Sequence, residues 1–243
     1  MKIITVKDYE QASQEAFKIF KEQVVSKKDS VLGLATGSTP IRLYELLAED
    51  HKKNGTSYKD IHTFNLDEYY GLDQTHPQSY YYFMKEHLFK FLDIDLNNVN
   101  VPKGNDDIEA ECKRYNTLLS KYIIDLQLLG IGSNGHIGFN EPGTPFDSVT
   151  HYIELDESTR KDNARLFFNG VLEDVPTHAV TMGIKNIMEA KKVVLIACGE
   201  NKANAIQKLV EEEPTTSLPA SALSKHNDFV LIIDEAAASK LKK

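Results

Sequence analysis

Short apolar runs rich in valine, isoleucine and leucine alternate along this chain with longer amphipathic stretches, and that alternation constrains its fold more than any other feature. The runs are Ser30-VLGLAT, Ile61-HTFNLDE, Asp125-LQLLGIG, His178-AVTMGI, Lys192-VVLIACG and Asp228-FVLIID, each bounded by turn residues. Runs of this length and composition read as strands. Between them, Tyr9–Val25, Pro40–Asp50, Ser79–Leu92, Ile108–Ile124 and Asn201–Glu212 repeat their apolar residues at helical spacing. The rhythm predicts an α/β fold: an open, mostly parallel sheet with helices on both faces, a Rossmann-like three-layer α/β/α arrangement. No repeat or linker divides the 243 residues, so residues 1–243 are expected to form a single domain.

In an open parallel sheet, the loops leaving the carboxyl ends of the strands converge on one crevice. Several predicted strands end in glycine or polar turns: Thr36-Gly37-Ser38, Asp67-Glu68, Gly130-Ile131-Gly132 and Cys198-Gly199-Glu200. These loops can therefore be read together as the parts of one site.

The charge balance limits what that site meets. With 28 Lys+Arg against 36 Asp+Glu the net charge is −8, and no basic patch is concentrated anywhere, so neither nucleic acid nor an anionic membrane is expected as a partner. The opening MKIITVKDYEQ turns charged too soon for a signal peptide, and no apolar run is long enough for a membrane span. Cys112 and Cys198 are too few for a disulfide framework. A cytoplasmic location is expected.

Four loops carry candidate chemistry. LATGSTP places Thr39 as a helix N-cap and Pro40 at the first helical position, with Gly37 freeing the backbone before them. The helix N-terminus and the hydroxyls of Thr36, Ser38 and Thr39 suit a phosphate, although neither a Walker A motif nor a dinucleotide fingerprint is present. Asp67 and Glu68 lie side by side where a strand runs out into a loop, and adjacent carboxylates can raise one pKa to that of a general base. The aromatics Phe64, Tyr69, Tyr70, Tyr80, Tyr81 and Tyr82 surround them in sequence, as site walls or as core. In LLGIGSNGHIGFNEPGTPF, four glycines in nine residues surround His136, with Glu141 five places on; the imidazole is a candidate proton shuttle lying close to a ligand. Lys202, in the first turn of the last predicted helix, and Arg165 are candidate anion-binding cations. The eight histidines show no metal-binding spacing, so neither metal nor cofactor is expected.

LGLATGSTP, TFNLDEYYGL followed by HPQSYYYFM, and LLGIGSNGHIGFNEPGTPF, in that order, closely resemble the glucosamine-6-phosphate deaminase family over nearly the whole chain. FNEP after GHIGF separates this pattern from the related 6-phosphogluconolactonases. The resemblance implies that glucosamine 6-phosphate and water become fructose 6-phosphate and ammonia, by aldose–ketose isomerisation and loss of the amine. It implies that Asp67 moves a proton between C2 and C1, and that His136, supported by Glu141, opens the pyranose ring. Thr36, Gly37, Ser38, Thr39, Arg165 and Lys202 match phosphate-binding positions. Many members carry aspartate where this chain has Asn134; an amide cannot relay a proton, so Asn134 is expected to orient His136 by hydrogen bonding.

Other readings on the same fold are a sugar-phosphate lactonase or isomerase and a non-catalytic sugar-phosphate sensor. The sensor has no use for Asp67, His136 and Glu141 together, nor does the −8 charge suit an attached DNA-binding role. The segment 151–176, charged, containing Arg165 and flanked by glycine and proline, is a candidate lid over the sugar. Allosteric hexamers of the family bind an acetylated sugar phosphate through cations where this chain has His151 and Ile153, and through a longer C-terminal tail. A monomer or small homo-oligomer without that activation is therefore expected.

Overall fold

The structure, a computed structural model, describes residues 1–105 and 107–242. Asp106 and Lys243, the latter the last residue of the expected domain, lie outside the described residues. The main sheet has seven strands: β1 (Lys2–Val6), β2 (Val31–Leu34), β3 (His62–Asn65), β5 (Val99–Asn100), β6 (Leu126–Leu129), β9 (Val193–Ala197) and β10 (Phe229–Asp234). Their order is β1-β10-β9-β6-β2-β3-β5, and the pairings are parallel. From β2 the chain builds outward through β3 to β5, then returns to the other side of β2 and continues through β6, β9 and β10. The direction of winding reverses between β2 and β6, and the crevice of such a sheet opens at that switch point. Gln127 of β6 lies across Gly33 of β2 there, in space that a β-carbon on Gly33 would enter at 2.0 Å.

The helices follow the apolar spacing. α1 (Tyr9–Ser26) is capped by Asp8, whose carboxylate accepts the Gln11 N–H at 2.9 Å, and buries Ala12, Ala16, Phe20 and Val24 along one stripe. α2 (Ile41–Asn54) packs beside it through Leu43, Tyr44 and Leu47. α3 (Tyr80–His87), α4 (Ile108–Leu119), α5 (Glu157–Phe167), α6 (Ile184–Met188) and α7 (Ala203–Glu211) complete the set. The expected cap at Thr39 is not formed. α2 begins after Pro40 without a side-chain cap, and the Tyr9 hydroxyl serves instead, accepting the Arg42 N–H at 3.1 Å and donating to the Thr39 carbonyl at 3.0 Å. The Thr39 hydroxyl is thereby left to the crevice.

The run His178–Thr181, expected in the main sheet, is β8 of a second sheet, antiparallel, in the order β4-β8-β7, with β4 (Asp67–Tyr69) and β7 (His151–Glu154). Leu66 joins the sheets: its N–H donates to Leu34 of the main sheet at 3.2 Å, while its carbonyl accepts the Met182 N–H just beyond β8 at 2.6 Å. Asp67 and Glu68 therefore lie on a strand, not in a loop. Tyr69, Phe139, Leu155, Ala164, Phe168, Val175 and Ala179 form a separate small core between this sheet and α5. Among the described residues no helix is long and apolar enough to cross a membrane.

Candidate active site

At the switch point the loops after β2 and β6, the start of β4, one face of α5 and the turn before α7 enclose a crevice, the place where an open parallel sheet binds its ligand. Thr36, Gly37, Ser38 and Thr39 line it from the β2 loop, Asp67 and Tyr80 from β4 and α3, Gly130 to Ser133 and His136 from the β6 loop, and Lys202 from the far side. The Tyr44 side chain braces the first of these loops, its hydroxyl donating to the Ala35 carbonyl at 2.6 Å.

Asp67 is 6% exposed, and among the described residues no cation stands against it to offset its burial. Burial, with the negative charge of Glu68 beside it, pushes its carboxyl up to about 8. Glu68 is fully buried but accepts the backbone N–H groups of Tyr69 and Tyr80 at 2.9 Å and of Tyr81 at 3.1 Å, at the N-terminus of α3. Burial raises it to about 7 against the pull of these donors. The pair thus holds one proton far more tightly than isolated carboxyls would, and Glu68, rich in donors, is the better seat for the remaining charge.

The glycine-rich loop reaches Asp67 because Gly138, at φ +56°, turns where a side chain could not: a β-carbon there would lie 3.2 Å from Asp67 Oδ2 and 3.1 Å from Thr181 Oγ1. Gly132 has a different task. The His136 ring lies flat against it, and a β-carbon would fall 2.3 Å from Cε1 of the imidazole. His136 Nδ1 faces Glu141 Oε2 at 3.6 Å, an ion-pair contact too long for a hydrogen bond, and has no other polar partner. Asn134 organises the pair without touching the ring: its carbonyl accepts the His136 backbone N–H at 3.1 Å, and its amide donates to Glu141 Oε2 at 2.9 Å. Burial alone would raise Glu141, but His136, Thr159 and Asn134 together hold it below the usual range.

Lys202 stands half-buried in the turn Glu200–Lys202, anchored where Asp234 accepts the Gly199 N–H at 3.0 Å. Burial lowers its pKa, only partly opposed by Asp162. Arg165 is not brought to the crevice wall. It stands in the last turn of α5, 67% exposed, 3.4 Å from Asp162 and near enough to Lys202 for its charge to help lower the lysine. The candidate lid contains β7 and α5, and α5 already supplies a wall through Thr159, Asp162, Asn163, Leu166 and Phe167. Thr159 and Asn163 stand outside the four loops that carry candidate chemistry in the sequence. Their signal was a hydroxyl and an amide four residues apart on the buried face of a helix, where polar side chains need partners; Thr159 bonds Glu141 at 2.6 Å, and Asn163 bonds the Tyr69 hydroxyl at 2.7 Å. Tyr69 and Tyr80, left open between wall and core, are in contact at 4.8 Å between ring centroids, and Tyr80 lines the crevice. Among the described residues no three His, Cys, Asp or Glu side chains cluster as a metal-ligand set.

Comparison with known proteins matches residues 7–232 to the family described as glucosamine-6-phosphate isomerases/6-phosphogluconolactonase. A protein of Geobacillus sp. (strain WCH70) named glucosamine-6-phosphate deaminase is 53% identical, covering 98% of this chain and 95% of its own. One of the same name from Clostridium novyi (strain NT) is 52% identical over 99% of this chain and 100% of its own. Among solved structures, a monomeric glucosamine-6-phosphate deaminase superimposes with a TM-score of 0.95 at 46% identity, covering 98% of this chain and 99% of the other.

Proposed function

We infer that this chain, which belongs to the family of glucosamine-6-phosphate isomerases and 6-phosphogluconolactonases, is a glucosamine-6-phosphate deaminase. The observation that carries the reading is the agreement of about half of all residues with deaminases along the full length, 52% in the Clostridium novyi protein. The geometry supplies a route for the chemistry. The phosphate is held by the hydroxyls and backbone N–H groups of Thr36, Gly37, Ser38 and Thr39 and by Lys202, with Arg165 swinging in from the rim as α5 closes. His136, with Glu141 behind it and Asn134 fixing both, passes the anomeric proton to the ring oxygen, so that the C1–O5 bond breaks and the open-chain aldehyde forms.

Asp67 then takes the proton from C2. The C–H electron pair forms a C1=C2 double bond, and the aldehyde oxygen is protonated. Return of the proton to C1 leaves an imine at C2. Water adds there, the C2–N bond breaks, and ammonia leaves fructose 6-phosphate behind. Because water is consumed in cleaving a C–N bond, we class the protein as a hydrolase acting on an amino sugar phosphate, within carbohydrate metabolism. It works as one domain and as a monomer or small homo-oligomer in the cytoplasm, without cofactor or metal and without nucleic acid as a partner. Incubating the purified protein with glucosamine 6-phosphate tests the reading: ammonia and fructose 6-phosphate should appear in equal amounts, and a folded protein that releases neither would refute it.

A further inference from the structure

Glu141 gives its two carboxylate oxygens to different neighbours. Oε2 accepts the Asn134 amide at 2.9 Å and faces His136 Nδ1 at 3.6 Å. Oε1 accepts the Thr159 hydroxyl at 2.6 Å, in a buried hydrogen bond from the first turn of α5. The terminal torsion of a glutamate is soft, so the side chain itself does not select the angle at which its carboxylate meets a partner. Two donors on opposite oxygens, one from the loop after β6 and one from α5, do select it. A threonine hydroxyl has a single proton to give, and here it goes to Glu141.

We infer that Thr159 is a positioning residue, fixing the plane of the Glu141 carboxylate so that Oε2 stays directed at His136. Its kinetic consequence rests on the deaminase reading; the contact itself does not. The groups facing Glu141 are His136 and Asn134 from its own loop, and Thr159 and Asp156 from the start of α5. The Asp156 carboxyl is raised by its partial burial and by the charge of Glu141. Without the Thr159 hydroxyl, Oε1 would lose its threonine donor and stand buried beside that second carboxyl, which itself shares a hydrogen bond with Glu141. Glu141 would then hold a proton more readily, and His136 would lose its anionic partner on part of the molecules.

Thr159→Val removes the hydroxyl at nearly constant volume, and Thr159→Ser keeps it. The valine variant should lower kcat about tenfold or more, the scale of one hydrogen bond to a charged group, with KM within about twofold. It should also raise the titration midpoint of the Glu141 carboxyl followed by 13C NMR, and serine should restore both quantities. Should the valine variant not fold, Thr159→Ala is compared with Thr159→Ser in the same two measurements. Wild-type kcat and an unmoved Glu141 midpoint in the hydroxyl-free variant would overturn the inference, as would a serine variant that restores neither. If the parent protein shows no deaminase turnover while the Glu141 midpoint still rises in the valine variant, the functional reading falls and the positioning contact stands.

Discussion

Asp67 combines burial with a carboxylate neighbour, and its carboxyl is pushed up to about 8. Asp67→Asn should leave substrate binding nearly intact and lower kcat by the roughly 10²–10⁴-fold of a lost acid–base group; turnover near the parent rate would exclude it as the base. A base must be ionised, so kcat/KM of the parent should climb as pH rises toward about 8, a slope absent from the residual activity of the asparagine variant. The same group affects stability with a definite sign. Its folded pKa lies above the unfolded value of about 3.9, so the folded chain binds the proton more tightly, and this contribution is lost as pH rises through about 8. Asp67→Asn should therefore melt higher than the parent at alkaline pH, by roughly 2–4 °C for each kcal/mol recovered in a chain of this size; equal melting curves above pH 8 would contradict this. Lys202→Ala removes a half-buried cation from the turn before α7 and should raise KM about tenfold or more with kcat little changed. An unchanged KM would argue against Lys202 as a phosphate anchor. That Asp67 and His136 face one crevice, with Glu141 beside the histidine, was legible in sequence from a strand end and a glycine-rich loop, while Asn134 is singled out only by the family resemblance. Thr159 was not legible, because its role depends on a partner 18 residues away.

At the level of elements, legibility followed burial. The strands β2, β6, β9 and β10 are buried at every position and appear in the sequence as continuous apolar runs. β1 has mostly exposed or half-buried positions at the sheet edge, β5 is two residues long, and β7 alternates half-buried and exposed positions, so none forms such a run. The β8 segment reads as a strand in sequence, but its sheet does not show there, since Ala179, Val180 and Thr181 are as buried as residues of the parallel sheet and only their partners differ. α5, within the segment expected as a lid, forms a wall carrying hydrogen bonds to Glu141 and Tyr69. If it also closes, a substrate analogue should slow proteolysis within residues 151–176 several-fold relative to the rest of the chain. Equal cleavage with and without the analogue would leave α5 as a fixed wall.

For the whole molecule, His151 begins β7 with its Nδ1 2.8 Å from the Val149 carbonyl, and Ile153 packs against the small core, so the second of these positions offers no cation to an anionic effector. Substrate dependence should accordingly be hyperbolic and indifferent to N-acetylglucosamine 6-phosphate, as coupling requires an effector that binds one state better than another. Sigmoidal rates abolished by that sugar phosphate would contradict this, and sedimentation should give a monomer or small oligomer. The two sheets share Leu66, whose N–H belongs to one and whose carbonyl belongs to the other. Were the small sheet to tilt about that shared residue as a door about its hinge pin, Asp67, the next residue along, would travel less than Glu68 or Tyr69 farther out on β4.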